Sequence, residues 1–378
     1  MHVGGVQKAL YNLLWNIHDR YEVTLLLFSA RGEFMNRLPE NVRVIPCKSL
    51  FRYLGVSQGE CRGLDAVKRG VLAAGCKLFG RNAMLKLMLA SQKMLEEPYD
   101  CAIAYLQNGR PGNFYGGVQE FVLNRVSARK KVAFLHCDYR NCGANHEANN
   151  KVIAGFDAIA ACSQGCRDAF MEVLPELGEK TVTVRNCHRF DEIRELAEAD
   201  PVSFDPGRKN VVMVSRLAHE KGIHRAIEAA AVALEQGVPV TLHIVGGGPM
   251  EQQLRSRAGE LGMEEHVLFY GQQENPYRFM KNGDLFLLTS YHEAAPMVIE
   301  EARCLNLPVL TVETTSSAEM VAGEGCGWVC ENSQEAIDSA LIRVLSDKQA
   351  MEAVKYRLFA QSADNAAAVR QFAELIEE

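Results

Sequence analysis

The chain is predicted to be an α/β protein with parallel sheets, arranged as two Rossmann-like domains. Three observations predict this. Short apolar runs alternate with amphipathic helical stretches along 378 residues. The runs are apolar nearly throughout rather than at every second position, the pattern of strands covered on both faces. A polar break, Asp200-Pro201 through Pro206-Gly207-Arg208-Lys209, separates two such series, and the length suits two domains.

Taken in order, the expected strands are 23–28, 101–106, 132–136, 158–162, 182–184, 211–214, 241–245, 267–270, 285–288 and 308–312. Each is a β-branched or apolar run, too short for a helix and flanked by polar or glycine-containing turns. Apolar residues at helical spacing predict helices over 7–17, 165–173, 223–235 and 250–261. The polar break is read as the linker, so the first domain takes residues 1–199 and the second 208–348. In sheets of this kind ligands bind beyond the carboxyl ends of the strands, which predicts a cleft between the two domains.

The start of the chain departs from this rhythm. Gly4-Gly5 opens a helix as a phosphate-facing loop would, yet only Met1-His2-Val3 precede it. A Rossmann-like domain feeds that loop from a central first strand. The expectation is therefore that this strand is missing, through a truncation or a misassigned start.

Composition excludes several classes. Apolar residues (48%) outnumber charged ones (23%), which rules out a chain disordered throughout. No uncharged apolar run is long enough to span a bilayer, and no basic–apolar–cleavage-site pattern opens the chain, so a cytoplasmic location is expected. Most of the twelve cysteines lie in apolar stretches, as buried free thiols do. Cys162/Cys166 and Cys326/Cys330 lack the paired spacing of a zinc site, so no metal is expected.

The net charge of −6 hides an asymmetry: residues 1–150 hold 20 Lys/Arg against 12 Asp/Glu, and the remainder 21 against 35. The cations concentrate at 62–93 (Arg62, Lys68, Arg69, Lys77, Arg81, Lys86, Lys93), interleaved with Leu, Val and Met, with Asp65 the only acid. That composition suits an anionic membrane surface. It does not suit nucleic acid, because aromatic residues for base stacking are absent.

Three segments carry chemistry. Val214-Ser215-Arg216-Leu217-Ala218-His219-Glu220-Lys221-Gly222 puts two cations at the carboxyl end of a strand just before a helix. A diphosphate could be held there by an Arg fork, a Lys charge and helix N-terminal amides. Val245-Gly246-Gly247-Gly248-Pro249 ends the next strand and lets the backbone approach a ligand closely. Ser290-Tyr291-His292-Glu293-Ala294-Ala295-Pro296-Met297-Val298-Ile299-Glu300-Glu301-Ala302 follows the strand at 285–288. Glu293 in its loop and Glu301 on the next helix could turn their carboxylates to one ligand, and carboxylates accept well from sugar and ribose hydroxyls.

In this order across one domain, the three segments resemble the family 4 glycosyltransferases of the GT-B fold. The resemblance extends through Asn186, Leu307-Pro308-Val309 and Glu319. It implies GT-B architecture, two Rossmann-like domains facing each other across a cleft. The N-terminal domain would face the acceptor, the second would bind the donor, and 349–378 would return as a helix to the first.

The activity implied is transfer of a hexose or N-acetylhexosamine, with retention of configuration, from a nucleotide-diphosphate sugar, UDP most of all. The acceptor would be a glycan or lipid-linked molecule of surface polysaccharide assembly, and no cofactor or metal ion would be needed. Arg216 and Lys221 match the pair gripping the donor diphosphate, Glu301 the ribose-binding glutamate, and Glu293 the one beside the donor sugar. The segment Glu293, Ala294, Ala295, Pro296, Met297 and Val298 would line the donor, as would Gly246 and Gly247. His136, in Leu135-His136-Cys137-Asp138, matches an active-site histidine near the sugar, and Gly4 and Gly5 a glycine loop beside the phosphates. His136, Glu293, Arg216 and Lys221 are thus the catalytic candidates, with no nucleophile among them.

Departures from the family pattern are Gln7 where Glu is common, Ala294-Ala295 for Gly-Phe, and Cys187-His188 for a Pro-containing turn. Two alternatives remain open at this level. One is an inactive nucleotide-sugar-binding protein, raised by the defective start. The other is a GT-B nucleotide-sugar epimerase, a class that lacks the Arg216/Lys221 and Glu293/Glu301 combination.

Overall fold

A computed structural model describes residues 4–56, 58–110 and 114–377. The chain divides into two compact units, Met1–Cys187 with Asn365–Glu378, and His188–Asp364.

The first unit carries β1 (Thr24–Leu27), β2 (Arg43–Pro46), β3 (Leu95–Ala104), β4 (Val126–Leu135), β5 (Ala158–Ala161) and β6 (Thr181–Thr183). Its helices are α1 (Gly5–Ile17), α2 (Gly63–Phe79), α3 (Arg81–Ala90), α4 (Val118–Arg125), α5 (Glu147–Ala154) and α6 (Gln164–Val173). All pairings are parallel. Among the described residues they form two separate sheets, β1–β2 and β3-β4-β5-β6. The segment ahead of Gly4, where the first strand is expected to be missing, is Met1–Val3 and lies outside the described residues.

The second unit holds one six-stranded parallel sheet in the order β12-β11-β10-β7-β8-β9. Its strands are β7 (Lys209–Val214), β8 (Val240–Val245), β9 (Val267–Phe269), β10 (Leu285–Leu288), β11 (Val309–Val312) and β12 (Gly327–Cys330). They alternate with α7 (Phe190–Glu198), α8 (Ile223–Glu235), α9 (Glu251–Glu260), α10 (Tyr277–Lys281), α11 (Met297–Cys304), α12 (Gln334–Ser346) and α13 (Lys348–Ala360). The central strands β7, β8, β10 and β11 are buried almost end to end, which is why they read as unbroken apolar runs. A final helix, α14 (Ala366–Glu377), belongs to the first unit.

The expected domain limits are corrected in two places. The boundary falls at Cys187/His188 rather than at 199. The apolar stripe of α7, Phe190, Ile193 and Ala197, packs into the second unit's core with Tyr277, Phe279 and Met280, so the polar stretch after it is an internal loop. The C-terminal return is also shorter than 349–378. Val354 and Leu358 of α13 join the second unit's core, whereas Ala368, Phe372 and Leu375 of α14 pack with Val132, Phe134 and Ala160 in the first. Glu377 at the end of α14 pairs with Arg20 at 2.6 Å and also accepts from Tyr21.

Candidate active site

In the second unit the chain runs from β7 outward through β8 to β9, then returns to β10 and runs the other way to β12. The order therefore switches between β7 and β10, which are paired neighbours. At such a switch the two following loops diverge and leave room for a ligand beyond the strand ends. The loop after β7 carries Ser215 to Gly222, and the loop after β10 carries Thr289 to Pro296.

The structure joins these loops directly. Lys221 Nζ donates to Glu293 Oε1 at 2.7 Å, and both side chains are largely buried. The Tyr291 amide donates to the Glu220 carbonyl at 2.9 Å, and Thr289 Oγ1 donates to the Gly222 carbonyl at 2.8 Å. Gly222 (φ 58°) turns the chain into α8, and a Cβ there would overlap the Thr289 carbonyl oxygen. Arg225 donates to that same carbonyl at 3.2 Å and to Asn332 Oδ1 at 2.7 Å. Arg216 is exposed and ion-paired with Glu220.

The N-termini of α8 and α11 both open at this edge, each without a side-chain cap, so first-turn amides face the same region. Glu293 sits in the loop before α11, followed by Ala294, Ala295 and the Pro296 N-cap. Met297 and Val298 begin the helix, and Glu301, on its second turn, is 1% exposed. The glycine run after β8 is tightly placed. At Gly246 (φ 144°) a Cβ would overlap the Ser215 carbonyl, and at Gly248 the Leu217 carbonyl; Gly247 has room.

Sequence reasoning missed three serines. The buried hydroxyls of Ser215, Ser290 and Ser316, following β7, β10 and β11, have no hydrogen-bond partner among the described residues. A buried hydroxyl left unpaired costs about 1–3 kcal/mol, and these three follow strands of the same sheet. Ser215 and Ser290 lie in the segments singled out from the sequence but were given no role there, and Ser316 lies outside them.

Gly4, Gly5 and His136 belong to the first unit. Gly4 caps α1 in extended backbone (φ −163°), and Gly5 begins the helix with open space around it. His136 follows β4, its ring enclosed by Tyr105 (4.7 Å) and Phe134 (5.8 Å). Its amide donates to Gln107 Oε1 at 3.2 Å, while Nε2 is buried without a partner among the described residues. Burial lowers the imidazole to about 4, so the ring is neutral near pH 7. The next residues form a thiol pair: Cys137 Sγ donates to Cys142 Sγ at 2.9 Å. That bond pulls the Cys142 thiol below its usual range and pushes Cys137 up.

The basic stretch 62–93 is not one surface. Arg69 is buried, donating to the Val56 carbonyl (2.9 Å) and lying over Phe114. Arg81 is enclosed with Glu120 at 3.4 Å. Arg62, Lys68, Lys77, Lys86 and Lys93 remain exposed. No group of three or more potential metal ligands occurs among the described residues, and all twelve cysteines are free.

Two parallel α/β units, the second with a topological switch point, define the fold of the GT-B glycosyltransferases. The Anabaena protein HepE, solved with UDP and glucose, superposes with a TM-score of 0.68 over 99% of this chain and 96% of that one, at 20% identity.

Residues 197–359 match the family model described as Glycosyl transferases group 1. The amylovoran biosynthesis glycosyltransferase AmsK of Erwinia amylovora is 30% identical over 143 residues, 35% of each chain. The lipopolysaccharide glucosyltransferase WaaG of Escherichia coli K12 is 34% identical over 128 residues, 33% of this chain and 34% of that protein. The chain thus spans about a third of the length of these curated relatives, and the family-model match lies within the second unit.

Proposed function

We propose that the protein is a retaining glycosyltransferase of the family 4 type. It moves a hexose or N-acetylhexosamine from a nucleotide-diphosphate sugar, UDP most of all, to a glycan or lipid-linked acceptor. The process served is surface polysaccharide assembly on the cytoplasmic side of an anionic membrane. The observation that carries this reading is the Lys221–Glu293 bridge at the β7/β10 switch point, with Arg216 beside it and two uncapped helix N-termini alongside.

In this reading the donor diphosphate lies between the N-termini of α8 and α11. Lys221 exchanges part of its contact with Glu293 for a phosphate oxygen, and Arg216 leaves Glu220 to fork onto the other phosphate. Negative charge grows on the diphosphate as the glycosidic bond breaks. Two cations and oriented amides stabilise that charge without a metal ion. Glu293, released from Lys221, accepts from hydroxyls of the donor sugar, and Glu301 accepts from the ribose. The Ala294-Ala295 pair, smaller than the family's Gly-Phe, widens the sugar-facing loop. Neutral His136 is the hydrogen-bonding group of the acceptor-side unit.

The test is UDP release from a panel of UDP-sugars by the purified protein. Steady release, reduced roughly 100-fold or more in Lys221→Ala, supports the transferase. UDP binding with no release from any sugar would instead indicate an inactive nucleotide-sugar-binding protein.

A further inference from the structure

Helix α2 faces the wrong way for a solvated surface helix. Its inward side carries Arg69, Leu72 and Cys76, all buried. Its opposite side should then be polar. Instead Leu64, Val67, Val71 and Leu78, at i, i+3, i+7 and i+14, form an outward stripe, and with Phe79 they are 62–77% exposed. The stripe is not an accident of loose packing. Gly75 lies close against Met84, so α2 is seated on α3, whose Leu85 and Met88 point into the core. Exposed Leu87 and Met94 add apolar surface beyond α2.

The charge of α2 and α3 is mostly of one sign. Lys68 and Lys77 on α2, Lys86 on α3 and Lys93 after it are exposed. Among the described residues Lys77, Lys86 and Lys93 make no ion pair, whereas Asp65, the one acid of the stretch, is tied to Arg52 at 2.7 Å. Five exposed large apolar side chains on α2, with exposed lysines on α2 and α3, match the two layers of an anionic bilayer, apolar interior and negative headgroups.

We propose that the outward face of α2 inserts into the interface of an anionic lipid bilayer, with Leu64, Val67, Val71, Leu78 and Phe79 entering the acyl boundary and the surrounding lysines meeting lipid phosphates. This deepens the reading of a lipid-linked acceptor by assigning the anchoring element. It also changes the kind of binding: apolar insertion resists salt, whereas a merely cationic patch does not.

The test is flotation of the full chain with phosphatidylcholine vesicles, with and without phosphatidylglycerol, at about 0.1 M and about 1 M NaCl, where the Debye length falls from ~10 to ~3 Å. The protein should float with the anionic vesicles, and a bound fraction should persist at high salt. The Leu64→Ser/Val71→Ser/Leu78→Ser variant should lose about tenfold or more in partitioning and all salt resistance. Its thermal midpoint should stay unchanged, since the side chains touch no core. Lys77→Glu/Lys86→Glu should lose the preference for phosphatidylglycerol.

Complete release by high salt, or unchanged partitioning of the serine variant, overturns the proposal. So does a dimer in sedimentation that the serine variant abolishes, because the stripe would then be covered by a second copy. UDP release is measured without vesicles, so failure of the transferase reading and failure of membrane insertion are separate results.

Discussion

At the scale of single residues, the site is held by contacts that leave little freedom. Gly246 combines a positive φ with a backbone approach to Ser215, whereas a Cβ at Gly247 would make only ordinary contact with Gln272. Gly246→Ala should therefore cost about 2–5 kcal/mol in urea unfolding, and Gly247→Ala almost nothing in stability. His136 makes the protein acid-sensitive in a definite window. Its pKa is lowered by burial from 6.5 to about 4, so between those values the unfolded chain binds a proton that the folded one refuses. Stability is complete above pH 6.5 and declines as pH falls toward 4, by at most about 3 kcal/mol. His136→Gln should flatten that part of the urea-midpoint-against-pH curve. The sequence offered Lys221 and Glu293 as candidates at the ends of two strands, through the family resemblance, and the structure brings these two side chains together. The orphan serines were not legible there, since an unpaired hydroxyl is visible only once its neighbours are known.

At the scale of elements, the apolar runs located ten strands; eight agree within about two residues, β3 and β4 begin six residues earlier than expected, and α8 coincides with the expected 223–235. Two strands escaped. β2 is Arg-Val-Ile-Pro with both ends exposed, and β12 is Gly-Trp-Val-Cys with every residue only half-buried. Each is a sheet-edge strand, too short and too little buried to leave an apolar run. The apolar stripes of α7 and α14 were equally readable, but a stripe does not name its partner. Phe372 on α14 is buried in the first unit although almost 190 residues separate it from Val184, which lies in the same cluster. Phe372→Ala should destabilise the first unit by about 3–5 kcal/mol, with hydrogen exchange quickening in β4 and β5 and unchanged in β7 and β8.

At the scale of the whole molecule, the two units have separate cores, the first drawing its last helix from the far end of the chain. Independent cores unfold as independent cooperative units. A ligand that binds only the second unit should raise only its transition. Calorimetry with UDP should raise one of two transitions, and Phe372→Ala should lower the other. The same division gives the charge asymmetry its meaning. The basic excess sits in the unit bearing α2, and the acidic excess in the unit with the switch-point loops.

The sequence by itself determined the fold class, nearly all strands, and the residues offered for a diphosphate and a sugar, because local periodicity and strand-end chemistry are encoded in neighbouring residues. Only the tertiary structure decided where one unit stops and the other begins, that Arg69 and Arg81 are internal, and that the apolar side of α2 faces outward. These depend on which of two faces another segment covers, and the covering segments lie far away along the chain. A helical wheel shows that α2 has two apolar faces, and only packing shows which one is left for a partner.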